Sequence, residues 1–171
     1  MTERKGVTTF KEKPMTLIGG EVKVGDAMPS FCVAGNDLAA IKNDDFKGKV
    51  AVVVTVPSVD TPVCATETRR FNESAAKLSD DVRIVVVSMD LPFAHRRFCA
   101  AEGIDKVATA SDYKDHQFGT AFGVRIKELG LLARAVFVFD RKGKCIYAEY
   151  VPEVAQEPNY DAALAAVKSA V

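Results

Sequence analysis

Val50-Ala51-Val52-Val53-Val54-Thr55 is a run of six residues with no charge and no alternation of polar and apolar positions. It is too short for a buried helix, and its β-branched side chains suit a strand covered on both faces. A chain built around such a strand must place a layer on each side of its sheet. Downstream of the run lie Pro57, Thr61, Pro62 and Cys64, and helical character begins at Cys64. The run therefore predicts a strand, a stiff loop and a helix whose first turn carries a cysteine.

Further strands are expected over 31–34, 38–41, 82–88, 106–109, 135–139 and 144–151, the last two joined by a hairpin turn at Asp140-Arg141-Lys142-Gly143. Helical patterns cover 64–78, 92–102 (capped by Asp90 and closed by Gly103) and 161–170. Thr16-Leu17-Ile18, then Gly19-Gly20, then Glu21-Val22-Lys23-Val24 reads as an N-terminal β-hairpin. Alternating β and α units predict an α/β fold of thioredoxin-like layout, a central mixed sheet flanked by helices. The expected organisation is one domain over 1–171, with 1–26 as a hairpin extension.

Composition narrows the chemistry. Lys and Arg number 23 and Asp and Glu 23, so no net field favours a nucleic-acid backbone or an anionic membrane. No apolar run approaches a membrane span, and residues 1–20 lack the apolar middle of a secretory signal, so the expected location is the cytoplasm. Cysteines at 32, 64, 99 and 145 form no Cys-x-x-Cys pair, which argues against a zinc site, and a chain of 171 residues does not need disulfide staples. Thiol chemistry remains. At a helix N-terminus the free amides and the positive end of the dipole favour the thiolate of Cys64, the attacking species. The Thr61 hydroxyl is expected beside that sulfur. Arg134 stands where the chain enters the apolar strand 135–139, a costly place for a permanent charge unless an anion compensates it.

Pro57, Thr61 and Cys64 together match the Pro-x-x-x-Thr-x-x-Cys signature, and the sequence resembles the bacterial thiol peroxidase branch of the peroxiredoxins. The likeness extends through Ser88-Met89-Asp90-Leu91-Pro92-Phe93-Ala94, Arg96-Arg97-Phe98-Cys99 and Gly130-Leu131-Leu132-Ala133-Arg134. The resemblance implies a peroxidase with no bound cofactor or metal, acting on hydrogen peroxide and organic hydroperoxides, recycled by thioredoxin and assembled as a homodimer. It implies that Cys64 is the peroxidatic cysteine and Cys99 the resolving one, joined in a Cys64–Cys99 disulfide. It also implies that Pro57, Thr61 and Arg134 bind the peroxide. Met89, Phe93 and Phe98 are then compatible neighbours for an alkyl tail, and the two cysteines, in separate helices, are expected to stay apart when reduced.

Other readings stand beside this one. A redox sensor would use Cys64 without turnover, and a disulfide exchanger would need the missing Cys-x-x-Cys. Cys32 and Cys145 read as packing residues, His95 and His116 as solvent-facing, Asp60 as a helix cap, and Arg69-Arg70 and Arg96-Arg97 as surface charge.

Overall fold

The computed structural model describes all residues 1–171. The 50–55 run forms strand β5 (Val50–Thr55), buried along its whole length. It lies at the centre of a seven-stranded sheet. The others are β3 (Cys32–Gly35), β4 (Ala40–Lys42), β6 (Val82–Ser88), β7 (Ala108–Ser111), β9 (Ala135–Phe139) and β10 (Cys145–Tyr150), in the order β10-β9-β5-β6-β7-β3-β4. Strands β5, β6 and β7 run parallel, and β9, β10, β3 and β4 join antiparallel. The sheet is mixed, as expected.

Because successive side chains of a strand point to opposite faces, the valines of β5 feed two cores. Val50, Val52 and Val54 join Ile84, Val86, Val136 and Val138 beneath α1 (Pro62–Ala75), α2 (Pro92–Glu102) and α4 (Tyr160–Ala170), which contribute Phe71, Phe98 and Val167. Ala51 and Val53 join Val85, Val87 and Phe137 on the other side, with Phe31, Phe118 and Phe122. Phe118 belongs to a short helix α3 (Gln117–Ala121) that the sequence pattern did not reveal. Burial on both faces explains why β5 has no polar positions.

The N-terminal hairpin is present but built differently from the sequence expectation. Its strands are β1 (Glu3–Phe10) and β2 (Lys13–Ile18), and the turn is Lys11-Glu12, both with positive φ (49° and 65°). That is the twist two-residue hairpins prefer, here without glycine. The Glu153 carboxylate accepts hydrogen bonds from both turn amides, at 3.0 and 3.3 Å. Gly19-Gly20 serves another purpose. A side chain at Gly19 would collide with the Thr120 carbonyl, and one at Gly123 with the Gly20 carbonyl. The glycines allow two backbones to cross, and residues 21–24 form no strand. Strand β8 (Arg125–Ile126) then pairs with β2, making a second sheet of three strands.

Asp90 does not cap α2. Its N-cap is Leu91 without a side-chain bond, and Asp90 points instead toward the loop before α1. Gly103 does close α2, at φ 66°. No helix is long and apolar enough to cross a membrane.

Candidate active site

Two chain segments meet at the carboxyl end of β5. The antiparallel register pairs Thr55 with Ala135, and the Thr55 hydroxyl donates to the Ala133 carbonyl at 2.6 Å. Arg134, the residue just before β9, is thereby fixed beside the loop that β5 feeds. In that loop Pro57 is buried, and Pro62 is the first residue of α1, where its missing N–H costs nothing. Cys64 follows in the first turn, whose amides have no partner within the helix.

The sulfur of Cys64 is fully buried and receives a hydrogen bond from Arg134 Nη2 at 3.1 Å. Arg134 itself is 1% exposed. Its Nε donates to the Val154 carbonyl at 2.9 Å, and Nη1 forms an ion pair with Glu67. Burial alone would lower the guanidinium's affinity for its proton, but Glu67 and Cys64 outweigh burial and raise it, so Arg134 stays charged. Burial pushes the Glu67 carboxyl up to about 7 despite the opposing pull of Arg134. Glu67 Oε1 has no hydrogen-bond partner. Glu67 is the charged residue at the centre that sequence reasoning missed. Its signal was a carboxylate one turn after Cys64, on the stripe that continues through Thr68 and Phe71 into the core.

An apolar cavity of about 250 Å³ opens onto this centre. Thr61, Pro62, Val63 and Arg134 line it together with Phe10, Ile126, Leu129, Leu131 and Val154. Cys64 does not line it; the sulfur lies one hydrogen bond behind, on Arg134. The apolar lining comes from β1, β8 and the segments after β8 and β10, so the second sheet contributes to the cavity. None of Met89, Phe93 and Phe98, named from the sequence as neighbours for an alkyl tail, lines this cavity, although Phe98 lines an adjacent one that shares Thr61 and Pro62. Phe98 is 8% exposed within the α1–α2 core, and Phe93 is 60% exposed on the outside of α2.

Thr61 is the N-cap of α1, yet its hydroxyl donates to the Ser58 carbonyl at 3.0 Å rather than to the sulfur. Cys99 is half-buried in α2 and free, as is Cys64. It sits within 3.3 Å of Thr109 Oγ1 and 3.7 Å of Asn36 Nδ2. The structure thus brings Cys64, Arg134, Thr61 and Pro57 together and leaves Cys99 apart, bonded to Thr109 and Asn36. Cys145 is buried, and desolvation raises its thiol to about 11. Cys32 is exposed, contrary to the packing role expected for it, because it lies on the outer face of β3.

The expectation of a solvent-facing His95 is also overturned. It is fully buried, 2.9 Å from Ser88 Oγ. The spacing of α2 places it on the same inward face as Phe98. His116 is half-buried at a left-handed position before α3. Asp60 caps nothing and lies 3.6 Å from Arg97 on the surface. Arg69 pairs with Glu102 at 2.7 Å, and Arg70 stacks over the Tyr160 ring at 3.8 Å, so this basic pair serves helix packing.

Comparison with known proteins shows the family. The Redoxin family profile matches residues 23–164. The chain is 56% identical over 163 residues to a thiol peroxidase of Bacillus subtilis, covering 95% of this chain and 97% of that one. It is 51% identical over 162 residues to a thiol peroxidase of Listeria innocua, covering 95% and 98%. A crystal structure of a peroxiredoxin-like protein from Aquifex aeolicus superposes with a TM-score of 0.91 at 43% identity over the whole of both chains. A buried cysteine on a helix N-terminus, a guanidinium on its sulfur and relatives of this identity lead to one conclusion: the chain belongs to the Redoxin family, in its thiol peroxidase branch, and is a thiol-dependent peroxidase of the peroxiredoxin type.

Proposed function

We propose that Cys64 is the peroxidatic residue and that the enzyme reduces hydrogen peroxide and organic hydroperoxides through a Cys64–Cys99 disulfide. The observation that carries this reading is the 3.1 Å bond to the Cys64 sulfur from Arg134, itself a lining residue of an apolar cavity. The Cys64 thiolate attacks the distal peroxide oxygen, forming an S–O bond and breaking the O–O bond. The alkoxide or hydroxide that leaves takes up a proton and departs as alcohol or water. Negative charge grows on the oxygen pair during this step, and a fixed guanidinium in a site closed to water stabilises it far more than solvent would. Glu67 is a positioning residue, holding the Arg134 fork so that one nitrogen faces the sulfur. Thr61 turns its hydroxyl from the Ser58 carbonyl to the bound peroxide, and buried Pro57 shapes the cavity beside it. The apolar walls accept an alkyl chain, which favours organic substrates over hydrogen peroxide.

The sulfenic acid on Cys64 is then attacked by the Cys99 thiol. An S–S bond forms, the S–O bond breaks, and oxygen leaves as water with the thiol proton. A dithiol protein of thioredoxin type reduces the disulfide and is itself oxidised. The resemblance further implies a cytoplasmic homodimer. The test is peroxide-dependent oxidation of a thioredoxin system by wild type, Cys64→Ser and Cys99→Ser. Turnover by wild type and none by either variant is expected; turnover that survives Cys64→Ser would overturn the proposal, and wild type that oxidises without cycling would favour a sensor.

A further inference from the structure

The segments leading into α1 and α2, the helices that carry Cys64 and Cys99, are tied together by one carboxylate. Asp90 Oδ1 accepts from Ser58 Oγ at 2.8 Å, and Oδ2 accepts from the Val59 amide at 2.9 Å. Oδ2 also accepts from Ser88 Oγ at 2.6 Å. The single Ser88 hydroxyl proton is used in that bond, so Ser88 Oγ must accept from His95 Nε2, 2.9 Å away. His95 Nδ1 has no partner, which fits a neutral ring protonated on Nε2 and not an imidazolium with a buried idle donor. The chain of bonds therefore runs from the loop before Cys64, through Asp90 and Ser88, to the buried imidazole inside α2.

We propose that Asp90 is the latch that keeps both cysteine segments in the peroxide-reactive arrangement, and that its release governs resolution rather than the peroxide step. The inference rests on the Cys64–Cys99 resolution proposed above. Cys64 is the third residue of α1 and Cys99 the eighth of α2, both downstream of the latched residues. In the reduced chain the two thiols are free and hydrogen-bonded to different partners. A disulfide confines the Cα atoms to roughly 4.4–6.8 Å, so one or both helix starts must leave their places. Asp90 resists that movement because it holds the two helix starts at once, whereas it touches neither Cys64 nor Arg134. Hydrogen bonds to a charged acceptor are the strong class, so their loss favours the open form markedly.

The experiment is rapid mixing of the reduced protein with peroxide, quenched at intervals, with mass spectrometry of Cys64 as thiol, sulfenic acid, sulfinic acid and disulfide. Asp90→Ala is expected to form the disulfide about tenfold faster than wild type, with the rate of thiol loss changed by less than about twofold and with less sulfinic acid at high peroxide. Asp90→Asn keeps an acceptor for the Val59 amide and is expected to fall between them; it also serves if Asp90→Ala does not fold. Arg97→Ala removes only the exposed pair with Asp60 and is expected to change neither step. An unchanged or slower resolution in both Asp90 variants overturns the latch, as does a parallel collapse of both steps, which would make Asp90 a support of the fold. If wild type forms no Cys64–Cys99 disulfide, the proposed resolution fails first and the latch with it.

Discussion

Arg134 Nη2 meets Cys64 Sγ at 3.1 Å, with the arginine 1% exposed and the cysteine 0%. Arg134→Met removes the partner that favours the Glu67 charge, so the buried carboxyl takes up a proton, and the lost bonds and unpaired groups are expected to cost on the order of 1–3 kcal/mol of stability. The same change should slow Cys64 oxidation by about a hundredfold or more, through loss of a fixed donor to the reacting oxygens. Pairing it with Glu67→Leu separates the two effects. The double variant is expected to regain most of the lost melting temperature and none of the lost rate; recovery of both would make Arg134 purely structural.

Glu67 predicts a pH dependence of stability. A glutamate free in the unfolded chain titrates near 4.5, while Glu67 in the fold titrates at about 7 because burial disfavours its charge. Between those values the folded chain holds the extra proton. Stability therefore declines as pH rises through the window and levels off above it, by on the order of 3 kcal/mol in all. His95 acts in the opposite sense: burial holds it below 6.5, so its contribution is lost as pH falls below that value. Comparing wild type with Glu67→Gln at each pH cancels the histidine. Urea midpoints across the window should show a flatter decline for Glu67→Gln; parallel curves would contradict the assignment.

The four cysteines should separate cleanly in a single-turnover assay. Cys64→Ser is expected to abolish peroxide consumption. Cys99→Ser should retain one turnover and then accumulate sulfenic and sulfinic acid, because no neighbouring thiol closes the disulfide. Cys32→Ser, exposed on β3, should be near wild type in rate and stability, and Cys145→Ser, at a buried position away from the site, near wild type in rate. Equal losses across all four would remove any special role for Cys64.

Leu129 is 39% exposed on the wall of the cavity and contacts no part of the Cys64–Arg134–Glu67 centre by hydrogen bond or ion pair. Leu129→Glu should raise KM for a long-chain alkyl hydroperoxide by about tenfold, the scale of losing one modest apolar contact. The rate with hydrogen peroxide should change little. Equal effects on both substrates would show that the wall does not select.

The apolar run 50–55, the prolines that follow it and the cysteine in the first turn of a helix were legible because each is a local matter. A strand buried on both faces must be apolar throughout, and a helix start has its own chemistry whatever packs against it. The sequence by itself therefore determined the strand, loop and helix that carry Cys64, and it marked Arg134 as a charge in need of an anion. It did not determine the hairpin turn, because Gly19-Gly20 looks like a turn locally and is in fact a crossing point with residues 120–123. Nor did it reveal that Glu67 shares Arg134 with Cys64, that His95 is buried, or that Phe10, Leu129 and Leu131 wall the cavity. Those facts depend on which strands are neighbours. Only when β9 lies antiparallel beside β5, with Ala135 opposite Thr55, does a residue 70 positions away reach the sulfur, and such long-range pairings leave no period in the chain for a sequence reading to find.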